Sequence, residues 1–312
     1  MSGGLQRALR VAGWGTLGIG GLLIVRRPAW APAAVFVCLA TASWPLARAW
    51  RGGRGTALRW AIPWAGLAIA QGMVGQIRAL QPRREFASST AAGWIFLSAL
   101  AALAATIAIL NARRPGAGAW AFLIGTLMLI LACIPNLDGS PLADWPDGEG
   151  WSRPRLDNPF TLFFLLLMFV GLTNYAFTRY WLPAGLLGVA IWLGIFPVAE
   201  PGEFASPWLL ALAAWMAEAQ STRREPAASG LDRLWLWFRD HWGVVWALRV
   251  QERFNRAAQA AGWPIRLGWS GAEPVGGGVP AAIPEGAEAT LKALLRRFAD
   301  ADRLDTAASG GC

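Results

Sequence analysis

The chain is divided into apolar blocks that approach twenty residues, and this restricts it more than any motif it carries. A helix needs about 20 apolar residues to cross about 30 Å of hydrocarbon, and 17–25 are workable. Candidate spans fall at residues 11–25, 30–47, 57–77, 91–110, 117–134, 159–177, 182–199 and 204–219. The first reaches a full crossing as 5–25 if Arg7 and Arg10 snorkel to the interface; the third is interrupted by Pro63 and the eighth is short. The pattern predicts an all-α membrane protein. A bundle of about eight transmembrane helices would occupy residues 1–220, and a small, mainly helical cytoplasmic tail residues 221–312.

Composition agrees with the blocks. Hydrophobic residues make up 55% of the 312 and charged residues 15%, against about 25% charged in an ordinary soluble domain. A cleaved leader is disfavoured, because Arg26, Arg27 and Pro28 follow the first block where small residues would be needed. Cys38, Cys133 and Cys312 are too scattered for a disulfide framework or a zinc site.

The net charge of +9 is not a nucleic-acid signature. Residues 1–220 hold 16 Arg against 9 acids, and residues 221–312 hold 12 basic residues against 10 acids. The excess therefore lies among the spans, where arginine sets topology, and not as a basic stripe on a soluble domain. With the N-terminus inside, the inside segments carry Arg7, Arg10, Arg48, Arg51, Arg54, Arg59, Arg113, Arg114 and Arg179. The outside loops carry seven Arg and every acid of the loops. This favours both termini in the cytoplasm of a bacterial inner-membrane protein. A recurrence of Arg-Arg-Pro at 26–28 and 113–115 is best explained by proline opening a helix, although a three-plus-three inverted repeat would also produce it.

The span interiors carry no Asp, Glu, Lys, Arg or His; Glu218 lies near a block end. Ionisable groups in a bilayer are the usual mark of a proton or ion pathway, so the pattern argues against a proton-coupled pump. Among the few uncharged polar groups, Gln71, Gln76 and Asn174 would line the bundle interior if any polar path exists. Otherwise they hydrogen-bond between helices. Ser98, Ala101, Ala102, Ala105 and Ala108 form a small-residue packing face. Residues 135–158 form an acidic outer loop with Asp144, Asp147 and Glu149. Its spacing matches no calcium loop, and no histidine or nucleophile accompanies it. No cofactor and no metal site is expected.

The tail has the most individual sequence. Leu234, Phe238, Trp242, Val245, Trp246, Val250, Phe254 and Ala258 recur at helical spacing and predict a helix over 231–261. Gly262, Trp263 and Pro264 end it. A short strand is expected at 264–269 and a second amphipathic helix at 285–304, with a Glu288–Lys292 pair at i,i+4. Six Trp fall between 235 and 269. Trp beside Arg suits the membrane interface, so Trp235, Trp242, Trp246, Arg239, Arg249 and Arg253 are the candidate contacts with lipid headgroups or a partner protein. A soluble helical core burying the same tryptophans fits the spacing as well.

The run Phe238-Arg239-Asp240-His241-Trp242-Gly243-Val244-Val245-Trp246-Ala247-Leu248-Arg249-Val250-Gln251-Glu252-Arg253-Phe254-Asn255, followed by Gly262-Trp263-Pro264-Ile265-Arg266-Leu267, resembles the C-terminal segment of uncharacterised bacterial multipass membrane proteins. The resemblance implies membrane placement and carries over no activity or site residue. The functional expectation is a non-enzymatic accessory or scaffold protein whose tail engages the inner leaflet or a partner. A transporter or channel for a neutral or lipidic solute ranks second. An enzyme acting on lipid headgroups through the acidic loop ranks third.

Overall fold

Each apolar block becomes a helix. In the computed structural model, residues 3–53, 56–81, 85–110, 117–133, 158–196, 201–223, 229–276 and 283–310 are described. Eight helices cover the first part of the chain: α1 Gly3–Arg26, α2 Ala31–Gly52, α3 Leu58–Ala79, α4 Glu85–Ala108, α5 Ala117–Cys133, α6 Asn158–Thr173, α7 Trp181–Ile195 and α8 Pro201–Thr222. Three more follow in the tail: α9 Gly230–Ala260, α10 Ala287–Leu295 and α11 Ala301–Ser309. The structure is 82% helical with almost no sheet. Among the described residues, three stretches are long and apolar enough to cross a bilayer, Gly4–Arg26, Pro28–Gly52 and Ala91–Ala108. Ala121–Cys133, Pro159–Thr173 and Trp181–Ile195 are shorter apolar helices. The acidic loop with Asp144, Asp147 and Glu149 lies outside the described residues.

Helix α4 is the hub. It packs against α3, α5, α6, α7 and α8, and its whole small-residue face is buried, from Ser98 through Ala108. Small residues let the helices close up: a Cβ on Gly194 of α7 would fall 2.6 Å from the Ala99 Cβ. The side-chain hydrogen bonds that cross between these helices are short and mostly run to backbone carbonyls. Ser98 Oγ donates to Ala68 O at 2.7 Å, Ser206 Oγ to Ala190 O at 2.8 Å and Trp208 Nε1 to Leu17 O at 3.0 Å.

One charged node stands at the tail-side end of the bundle. Glu218 of α8 has a side chain only 3% exposed, and its Oε1 accepts from Arg10 Nη2 at 2.7 Å and Arg48 Nη1 at 2.8 Å. A buried carboxylate needs partners of this kind, since an uncompensated charge there is costly. The node ties α1, α2 and α8 together, with Trp44 and Trp215 stacked at 5.5 Å between centroids.

The tail has its own core. Trp235, Phe238, Trp242 and Phe254 are fully buried with Leu291, Leu295 and Leu304 of α10 and α11. The strand predicted at 264–269 forms at Ile265–Leu267 (β1) and pairs antiparallel with Ala272–Pro274 (β2). The second helix departs from its expected 285–304: it is two helices, α10 and α11. The chain turns over 296–300, with Phe298 N bonding Leu295 O and Asp300 extended at φ −72°, ψ 155°. That turn seats Phe298 against Phe238, Trp242 and Trp246 at centroid distances of 5.0, 6.2 and 5.4 Å. It also brings Leu304, Ala307 and Ala308 back onto the core. Lys292 pairs with Glu288 at 2.9 Å, and with Asp305 of α11 at 2.7 Å; hydrogen bonds to these two carboxylates, Asp305 first, raise its pKa. The same core takes in Ala57 at the N-cap of α3, Ala61 of α3, and Ala105 and Ile109 at the end of α4, so it continues into the bundle.

Candidate functional site at the junction of bundle and tail

The expected helix at 231–261 is broken. Gly243 sits at φ 77°, ψ −179° inside α9 and divides it into arms at 230–242 and 244–260. The second arm begins with backbone N–H groups that the first cannot satisfy. They are satisfied from another element. Val244 N donates to Asn174 O at 2.9 Å, and Val245 N to Asn174 Oδ1 at 3.2 Å. Asn174 therefore caps the arm in trans, with the side-chain chemistry that makes Asn a good N-cap. A Cβ on Gly243 would lie 2.3 Å from Asn174 Nδ2 and 2.6 Å from its carbonyl oxygen, and positive φ adds strain for any other residue.

Asn174 is available because α6 ends at Thr173. The sequence places it inside a span at 159–177, whereas residues 174–180 form a turn. Phe177 there adopts φ 60° and is 79% exposed. The turn supplies two further ties. Arg179 Nε lies 3.0 Å from Asp240 Oδ2, and Phe177 O accepts from Trp269 Nε1 at 2.6 Å. Asp240 is almost fully buried and also accepts from Arg239 Nε at 3.0 Å and Nη2 at 2.9 Å. Arg239 Nη1 in turn donates to Trp269 O at 3.0 Å. Arg179, Asp240, Arg239, Trp269 and Phe177 thus form a closed polar circuit between the α6–α7 turn and the tail. Each charge in it has an opposite charge beside it, and Arg239 and Asp240 are also hydrogen-bonded, the condition under which burial is tolerated.

Two supporting ties hold the tail in shape. Ser229 Oγ accepts from Asp232 N at 3.0 Å, a cap that starts α9, and Asp232 Oδ1 accepts from Ala272 N of β2 at 2.7 Å. Asn255 bonds both the N–H and the C=O of Leu267, at 2.6 and 3.1 Å, fixing β1 on the second arm. His241 has its Nδ1 2.7 Å from Trp237 O. Burial, followed by the Arg179 and Arg303 charges, pushes its pKa down to about 4, so the ring is neutral at pH 7.

The candidate residues therefore divide. Trp235, Trp242, Trp246 and Arg239 lie inside the tail core or the circuit and not at a lipid-facing surface. The reason is that α10 and α11 cover the stripe they form. Arg249 and Arg253 are exposed, with Arg249 over the Trp246 ring at 5.0 Å. Val245 and Leu248 share that exposed side. Gln71, Gln76 and Asn174 do not converge. Asn174 belongs to the tail-side turn, while Gln76 lies 15 residues beyond the tail-packed Ala61, about 22 Å along α3. Gln76 is fully buried, and its amide has no hydrogen-bond partner among the described residues.

Sequence reasoning did not single out Arg179, Asp240, Phe177, Trp269, Gly243 or Glu218. The only signal for the pair Arg179 and Asp240 was the placing of a span-connecting Arg on the side assigned to the tail. Among the described residues no group of three or more His, Cys, Asp or Glu is placed to hold a metal. The arrangement fixes one body on another. No family model, no curated protein and no solved structure matches the chain.

Proposed function

We propose that the chain is a multi-pass protein of the bacterial inner membrane, with α1–α8 all crossing and both termini cytoplasmic. In this reading it is a non-enzymatic scaffold. The bundle holds the α9–α11 unit in one orientation at the inner leaflet, where lipid headgroups or a partner protein engage its free face. The observation that carries this reading is the trans cap. A turn between two apolar helices supplies the N-cap of the tail's own helix through Asn174, backed by the Arg179–Asp240 pair. A tail that merely trailed from the last helix would need neither.

The topology draws support from what the tail touches. It packs on the start of α3, the end of α4 and the α6–α7 turn, and Arg303 donates to Gly52 O at the end of α2. Those are alternate connections along the chain, as an up-and-down bundle of eight requires. The free face is the side of the second α9 arm bearing Val245, Leu248, Arg249 and Arg253. Exposed Phe177 lies on the adjoining turn and exposed Trp181 opens α7. Aromatic and aliphatic groups beside arginines suit headgroup depth. Arginine usage with a single lysine, and the resemblance of the 238–267 segment, support the bacterial assignment.

The test is a photo-crosslinker at Leu248 and, separately, at Arg253 in the full-length protein in its native membrane. A reproducible adduct with lipid or with one discrete protein is the expected result. Absence of any adduct from both sites in membrane-inserted protein overturns the scaffold role. A C-terminal alkaline phosphatase fusion is expected to be inactive, and activity would overturn the orientation.

A further inference from the structure

Between α2 and α3, on the half of the bundle nearer the tail, runs an open groove of about 560 Å³. Leu46, Ala47, Ile62 and Pro63 form its apolar walls; Trp50 and Arg51 stand at its mouth. We propose that this groove binds one anionic phospholipid of the cytoplasmic leaflet, with an acyl chain along the walls and the phosphate at Arg51. The proposal rests on the membrane placement argued above.

Three observations converge on that occupant. The first is length. From Ser43 at the inner end to Arg51 at the mouth is eight residues of α2, about 12 Å, close to the depth of one leaflet's hydrocarbon, roughly 15 Å. The second is depth in the membrane. Gly52, next to Arg51, accepts from Arg303 of the tail at 3.1 Å, so the mouth lies where the bundle meets the tail. Exposed Trp50 suits headgroup level there.

The third is charge. Arg10 and Arg48 already share the Glu218 carboxylate. Arg51 has no carboxylate partner among the described residues; its Nε donates only to Ala47 O, at 3.3 Å. Its guanidinium can therefore meet a phosphate bidentately, as arginine does in such pairs. Pro63 contributes a second feature. It has no N–H to return to the carbonyl four residues back, and its exposed ring faces the groove as a smooth apolar wall.

The experiment is native mass spectrometry of the full-length protein, extracted in mild detergent and titrated with phosphatidylglycerol or phosphatidylcholine. Wild type is expected to retain one phosphatidylglycerol with about fivefold preference, the worth of one arginine near an anionic headgroup. Arg51→Gln should remove that preference and Arg51→Lys should keep most of it. Ala47→Trp, which fills the groove, should abolish retention, while Arg256→Gln on α9 should match wild type. A thermal midpoint for each variant shows that it is folded. Equal retention of the two lipids by wild type overturns the proposal, as does wild-type retention by either Arg51→Gln or Ala47→Trp. Release of the protein from membranes by alkaline carbonate would instead refute membrane placement. A membrane-retained protein without lipid preference refutes the groove alone.

Discussion

The bundle and the tail are built on opposite economies of contact. In the bundle, closeness does the packing. Glycine and alanine let backbones approach, and the polar groups that cross between helices are mostly single hydroxyls or indoles bonded to carbonyls. In the tail, large aromatic surface does it. Trp235, Phe238, Trp242 and Phe254 are packed by two short helices, and buried charges are matched in a circuit. On the proposed membrane placement, the difference follows from solvent. In lipid there is no hydrophobic gain from bringing helices together, so fit between small residues must provide it. In water, burying one large aromatic side chain is worth several times a methylene. The two regimes meet at Asn174, where a bundle turn makes a backbone cap for a tail helix.

The sharpest way to break this contrast is to remove aromatic area from the tail. Trp235→Ala should destabilise the tail by about 4 kcal/mol through transfer and cavity terms. In hydrogen exchange the α10 and α11 amides should lose protection while α4 and α7 keep theirs. Loss of protection in both would show that bundle and tail unfold as one unit. Next in size is Asp240→Ala, which leaves the Arg239 and Arg179 guanidiniums beside an empty place. Breaking a buried pair from one side costs about 3 kcal/mol. Thermal unfolding in detergent should show it, with Asp240→Asn intermediate. In the bundle the matching insult is addition. Gly194→Ala sets a methyl against Ala99 and Ser206 and should cost about 2 kcal/mol by overpacking, with tail protection unchanged.

The placement of the helices was legible because apolar blocks are a property of the chain alone. Trp235 and Trp242 show where that ends. Their stripe with Leu234 and Phe238 reads identically as a membrane-facing side or a core, and only the turn at 296–300, which folds α10 and α11 over it, decides. Gly243 is illegible for a similar reason. The apolar spacing runs through it without a gap, and the break exists because a turn some seventy residues earlier in the sequence supplies the cap. The circuit is invisible to spacing, since Arg179 and Asp240 are 61 residues apart. Glu218 could have been suspected, as the single acid at the end of an apolar block whose side of the bundle is rich in arginine.

A smaller effect isolates the trans cap. Asn174→Ala removes the side-chain half of it and leaves the Asn174 carbonyl bond to Val244, so the expected cost is about 1 kcal/mol. Exchange should rise at Val245 and the first turn after it, with the 230–242 arm unaffected. Asn174→Asp should retain the bond to Val245 N and recover most of the loss.

The smallest effect depends on pH. His241 is held neutral, with a folded pKa of about 4 against an ordinary value of 6.5. The unfolded tail therefore binds a proton first as pH falls. The stability contributed by the neutral ring is complete above about 6.5 and is lost progressively down to about 4. The protonated ring would have Arg179 and Arg303 as neighbours, and of these Arg179 belongs to the junction circuit. Acidification should thus loosen the tail at the 174–180 turn before it affects α4, whose span interior carries no titrating group. His241→Gln should flatten the tail's stability between pH 6.5 and 4. If the variant keeps the wild-type slope across that window, the acid sensitivity does not belong to the imidazole.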